Sequence, residues 1–145
     1  MNRFYNPSLG LALLRIALGL IFVAHGAQKL FGVFGGGGPA GTAGFFGSIG
    51  IPAAGIMAWV VGFAEFFGGL SVLFGFLTPV GGALIACVMA VAILSVHLKN
   101  GFFASNGGIE FPLILLAAAL ALVAAGPGRY SVDGARGRVP ADATV

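Results

Sequence analysis

The sequence predicts an all-α fold, a four-helix transmembrane bundle. The chain is 59% hydrophobic and 8% charged over 145 residues, whereas a soluble domain carries roughly a quarter of its residues as Asp, Glu, Lys and Arg. So few charges leave lipid as the solvent for most of the surface. The apolar residues also fall into four long runs, each near the about 20 residues that cross a hydrocarbon core of about 30 Å. None of the runs shows the polar–apolar alternation of barrel strands, so helices must satisfy the backbone in lipid.

The first span is expected over Leu9 to Phe31. Arg3 precedes it and Ala24-His25-Gly26 loosely resembles a signal cleavage site. Arg15 inside the run, and the run's length, argue for a retained helix instead. The other spans are expected over Pro52 to Leu77, Pro79 to Leu98 and Gly108 to Ala125, with a tail at 127–145. All belong to a single membrane domain, residues 1–145.

Positive residues mark the cytoplasmic side. Arg3, Arg129, Arg136 and Arg138 lie in the tails, whereas the two longer joints are bordered only by Lys29 and Lys99. Both termini are therefore expected in the cytoplasm, with a turn at Thr78-Pro79 on the same side. The formal charge of +3 suits anionic lipid and not nucleic acid.

The first outer loop is glycine-rich and reads as a flexible spacer. Its GGGG is not a phosphate loop, because no Gly-Lys-Ser/Thr follows. "GFFGSIGI" at 44–51 and "GFFASNGGI" at 101–109 hint at a parallel repeat of helix pairs. Small-residue stripes, Gly82–Ala86–Ala90 in the third span and Ala117–Ala121–Ala125 in the fourth, are expected to close helix contacts. Cys87 is the lone cysteine and reads as a small packing residue.

Polar residues within or beside the spans are the candidate site: Arg15, His25, Gln28, Lys29, Glu65, His97 and Glu110, with Lys99 nearby. A charge in the membrane is costly and marks function by default. At 100° per residue, Lys29 lies about 40° and His25 about 80° around the helix from Arg15. These three share a face. Glu65, near the middle of the antiparallel second span, is expected to neutralise Arg15, with His25 as its rival partner. His97, Lys99 and Glu110 are expected level with His25, Gln28 and Lys29, forming an outer polar cluster. The bland alternative has the lysines snorkelling to headgroups and Glu110 favouring its own helix N-terminus. No metal site is expected, since no spacing gathers a ligand set.

The phrases "LLRIALGLIFVAHGAQKLFG", "GFFGSIGIP", "EFFGGLSVLFGFLTP", "VHLKNGFF", "GIEFPLILL" and "GPGRYSVD" occur in this order. In these phrases the chain resembles the DoxX family of small bacterial membrane proteins along nearly its whole length. The resemblance implies a multi-pass protein of the bacterial inner (plasma) membrane and an oxidoreductase role linked to quinone. The family takes its name from a subunit of a thiosulfate:quinone oxidoreductase, and related members are linked to redox-stress complexes. The pattern it implies covers Arg15, His25, Lys29, Glu65, His97 and Glu110 without fixing a catalytic role for any.

The chain encodes no flavin motif, metal motif or redox-active thiol pair, so a quinone or a partner must carry electrons. The expected function is a quinone-linked oxidoreductase subunit or a component of a membrane redox-stress complex. The alternatives are a non-catalytic anchor for soluble redox enzymes and a small-molecule transporter. The expected partners are the lipid bilayer, soluble redox enzymes and a second copy in a homodimer.

Overall fold

The computed structural model describes residues 6–139. Arg3, counted in the charge bias above, and residues 140–145 of the tail lie outside the described residues. Among the described residues six α-helices follow one another: α1 (Pro7–Phe31), α2 (Gly38–Ser48), α3 (Ala54–Phe74), α4 (Thr78–Ala92), α5 (Glu110–Ala125) and α6 (Val132–Ala135). α4 runs on through a wide π turn, Ile93–His97, and a 3-10 turn, Leu98–Asn100. α1, α3 and the extended α4 are long and apolar enough to cross a membrane; α5 is apolar but shorter, at 16 residues. The protein is a helical membrane bundle.

Each boundary has a local cause. Asn6 caps α1, its side chain accepting from Leu9 N at 3.0 Å, and Pro7 fits the first turn because no amide is needed there. Gly32 and Gly75 end α1 and α3 in the left-handed conformation that glycine adopts without strain. The α3–α4 turn is Gly75–Leu77, and Thr78-Pro79 already belongs to α4.

The helix pairs run α1–α3, α3–α4 and α4–α5, while α1 and α5 meet only sparsely. Glycines set the α1–α3 distance. A methyl group added at Gly26 would lie 2.6 Å from Phe66 Cα, one at Gly69 2.7 Å from Val23 N, and one at Gly19 2.6 Å from Leu73 Cβ. Close approach of this kind supplies dispersion contacts where lipid gives no hydrophobic drive. The core, Leu18, Phe22, Val72, Ile85, Ala86, Met89, Leu115, Ala119 and Leu122, fills the middle and the end nearer the termini.

Several expectations change. The glycine-rich loop after α1 is not a spacer: it folds into α2, which packs on α3 and α1. The two Gly-Phe-Phe phrases then differ, one forming the end of α2 and the other a 3-10 loop at Ala104–Asn106. Gly82 and Ala86 are buried against α5 as expected, but Ala117, Ala121 and Ala125 are exposed. α5 instead buries Pro112, Leu115, Ala119 and Leu122, and Gly82 of α4 lies against Ala119 O and Val123. Cys87 is exposed on α4 and packs nothing in the core.

Candidate functional site

The glycine contacts define the register of α1 on α3. Gly19 meets Leu73, Val23 meets Gly69, Gly26 meets Phe66 and Leu30 meets Gly62. Glu65 therefore stands opposite Gly26–Lys29, not opposite Arg15. From Arg15 to that level is roughly 17–21 Å along the helix, beyond the reach of two side chains. The expected Arg15–Glu65 pair does not form.

Glu65 pairs with Lys29 instead, Nζ to Oε2 at 2.6 Å. Glu65 is 3% exposed, and the Lys29 side chain 21%. Lys29 does not snorkel, since its ammonium turns inward to a buried carboxylate. Such a pair holds its charges by hydrogen bonding and Coulomb attraction, and loss of either partner strands the other. The Phe31 and Phe66 rings meet edge to face at 5.4 Å beside it. His25, the expected rival partner, forms no hydrogen bond with Glu65. It is exposed on the flank of α1 that carries Leu14 and Ile21, beyond the cluster that α1 shares with α4 and α5, whereas the α1–α3 seam stays buried at Ala27, Leu30 and Ala58. None of Ile93–Asn100 is buried. His25 thus stands at an open edge, with Lys29 one turn further along α1 and Glu65 behind it.

Arg15, 2% exposed, belongs to a different construction. Its guanidinium donates to the carbonyls of Val72 at 3.2 Å and Leu73 at 3.1 Å, and to that of Tyr130. The last turn of α3 leaves carbonyls short of helical partners; the Arg15 fork reaches Leu73 O and shares Val72 O with Gly75 N, while clamping the C-terminal segment.

Asp133 completes this end. Buried at 6% exposure, it accepts from Leu77 N at 2.7 Å and pairs with Arg138 at 3.3 Å, while its own amide donates to Gly75 O at 3.1 Å. Leu77 has φ of +51°, uncommon for a residue with a Cβ, and Asp133 holds it there. Sequence reasoning missed Asp133. Its signal was the phrase "GPGRYSVD", in which Ser131 caps α6 and presents the aspartate.

The remaining candidates serve the loops. Gln28 donates from Nε2 to Phe34 O at 3.0 Å and fixes the chain leaving α1. His97 Nδ1 and Asn100 Nδ2 converge on Gly107 O at 2.7 and 3.2 Å. Glu110 accepts from Ala104 N at 2.7 Å. His97 and Glu110 therefore brace the 101–109 loop, and no hydrogen bond joins them to His25, Gln28 or Lys29. The single outer cluster expected from the sequence divides into a loop brace and a buried pair.

A glycine-packed membrane bundle with an ion pair sunk between its first and third helices defines a class of small multi-pass proteins. Within that class the chain belongs to the DoxX family, whose pattern it matches over residues 10–98. The match spans α1 to α4 and contains Arg15, His25, Lys29, Glu65 and His97; Glu110 lies beyond it.

The chain is 37% identical to "Putative oxidoreductase CatD" of Bacillus subtilis, over 92% of this chain and 90% of that one. It is 32% identical to "Inner membrane protein YqjF" of Escherichia coli, over 86% and 89%. It is 33% identical to "Uncharacterized membrane protein Rv3486" of Mycobacterium tuberculosis, over 83% and 77%. No solved structure matches the chain significantly.

Proposed function

We propose that the protein is an inner-membrane subunit of a quinone-linked redox system, with His25, Lys29 and Glu65 as its headgroup site. The observation that carries this reading is the buried Lys29–Glu65 pair at 2.6 Å, beside an exposed histidine at an open edge of the bundle. The oxidoreductase name of the Bacillus subtilis relative, similar over nearly the whole of both chains, supports it.

The donor set suits a quinone. Lys29 has N–H groups left beyond its bond to Glu65, and His25 offers a ring nitrogen on the same helix. The Phe31, Phe66 and Phe67 rings, in contact with one another, stand on the same two helices as the pair. When bound, a quinone supplies exchange of two electrons and two protons. Lys29 and His25 orient the headgroup by hydrogen bonds. Glu65, shielded from water, holds or releases a proton at Oε2 and balances the lysine charge as the headgroup charge changes. His25, at the edge, passes protons between this site and the aqueous side. Both termini lie in the cytoplasm in this reading, the end bearing Arg129, Arg136 and Arg138 facing inward.

Organic extraction and mass spectrometry of the gently solubilised protein tests the reading. A quinone in near-stoichiometric amount is expected, falling at least tenfold in Glu65→Gln and His25→Ala. A wild-type extract without quinone, or full retention in both variants, contradicts it.

A further inference from the structure

At the end of the bundle near the termini, α3 and α4 touch through Gly68 and Gly81, where a methyl group on Gly81 would sit 2.9 Å from Gly68 O. This close approach leaves a furrow of about 370 Å³ open to the membrane. Gly68 and Gly81 form its floor, and Phe67, Phe74, Val80 and Leu84 its exposed walls. The Ser71 hydroxyl is turned back on its own turn, its proton shared between the carbonyls of Phe76 and Leu77. From Phe67 to Phe74 the furrow runs about 10 Å along α3, about two-thirds of the depth of one leaflet. Its dimensions and chemistry fit an acyl chain.

The mouth of the furrow carries the opposite chemistry. Phe76 lines it, and the Arg136 guanidinium lies over that ring, 5.4 Å from the centroid. Stacking fixes the cation at the mouth while leaving its N–H groups directed elsewhere. Among the described residues Arg136 is in no salt bridge, whereas Arg138 is matched by Asp133. A planar guanidinium presents a fork that suits phosphate oxygens. We propose that this furrow is a binding site for one anionic phospholipid, its acyl chain along Phe67–Leu84 and its phosphate on Arg136. The site is separate from the Lys29–Glu65 pair and stands whether or not that pair takes a quinone.

Native mass spectrometry of the full chain, delipidated and then offered equal phosphatidylglycerol and phosphatidylcholine with matched chains, tests this. The wild type is expected to retain phosphatidylglycerol about fivefold over phosphatidylcholine, the scale of one cation near an anionic headgroup. Arg136→Gln is expected to abolish the preference while keeping chain binding. Val80→Trp, at an exposed wall position, is expected to fill the furrow and lower retention of both lipids severalfold. Arg129→Gln removes the same charge away from the furrow, over Tyr130, and is expected to leave the preference intact. Free glycerophosphoglycerol, which has the headgroup but no chains, is expected not to compete. Equal retention of the two lipids by the wild type overturns the proposal. So does an equal loss in Arg129→Gln and Arg136→Gln, undiminished retention in Val80→Trp, or competition by the free headgroup.

Discussion

Arg15 shows how much one residue in lipid can organise. A guanidinium presents several N–H donors in a fixed fork, and here that fork reaches α3 and the segment before α6 together. Lysine keeps the charge but presents it as a compact ammonium that does not span the same acceptors. With hydrogen bonds to charged groups contributing about 1.5–3 kcal/mol each, Arg15→Lys is expected to cost about 2–4 kcal/mol. Thermal unfolding in detergent reads this directly; a melting point within a degree of wild type contradicts the clamp. The sequence marked Arg15 as a costly charge needing a partner and Glu65 as the candidate, and helical periodicity placed Arg15 and Lys29 on one face, but Lys29 read equally as a lysine snorkelling to headgroups. The pairing was hidden because it depends on the α1–α3 register, and that is set by where Gly19, Gly26, Gly62 and Gly69 touch. Carbonyl acceptors leave no trace in side-chain chemistry, so the true partners of Arg15 were equally invisible.

At the scale of elements, the apolar runs located α1, α3, α4 and α5 to within a few residues, since crossing a bilayer imposes length and hydropathy together. α2 escaped notice because Gly and Pro lower intrinsic helix propensity, and packing on α3 overrides that preference. The same contacts predict which glycines matter. Gly26→Ala places a methyl group against the Phe66 backbone, and is expected to cost about 1–3 kcal/mol through overpacking. Gly10 lies in the same helix with open space around it, so Gly10→Ala is expected to be neutral or stabilising by up to about 1 kcal/mol. Comparing the two melting points checks the α1–α3 interface without touching any charge. Similar effects at both positions contradict it.

The whole molecule divides its polar chemistry between its ends. Near the termini, Arg15 and Asp133 tie α1, α3, α4 and α6 together through backbone partners and, for Asp133, through Arg138 as well, while Arg15 Nε is buried with no hydrogen-bond partner among the described residues. Toward the loops, burial continues along the α1–α3 seam at Ala27, Leu30 and Ala58, and Lys29–Glu65 lies buried there beside an exposed His25. A continuous seam from Arg15 to Lys29 would couple the two ends; the structure keeps them separate.

Two double-mutant cycles in one thermal-stability series test that separation. Breaking a buried pair on one side typically costs about 3–5 kcal/mol, because a charge is stranded. Lys29→Met with Glu65→Gln is therefore expected to recover part of that loss, with a coupling above about 1 kcal/mol. Arg15→Gln with Glu65→Gln is expected to be additive to within about 0.5 kcal/mol, as for sites without shared partners. Coupling between Arg15 and Glu65, with additivity between Lys29 and Glu65, would contradict the account.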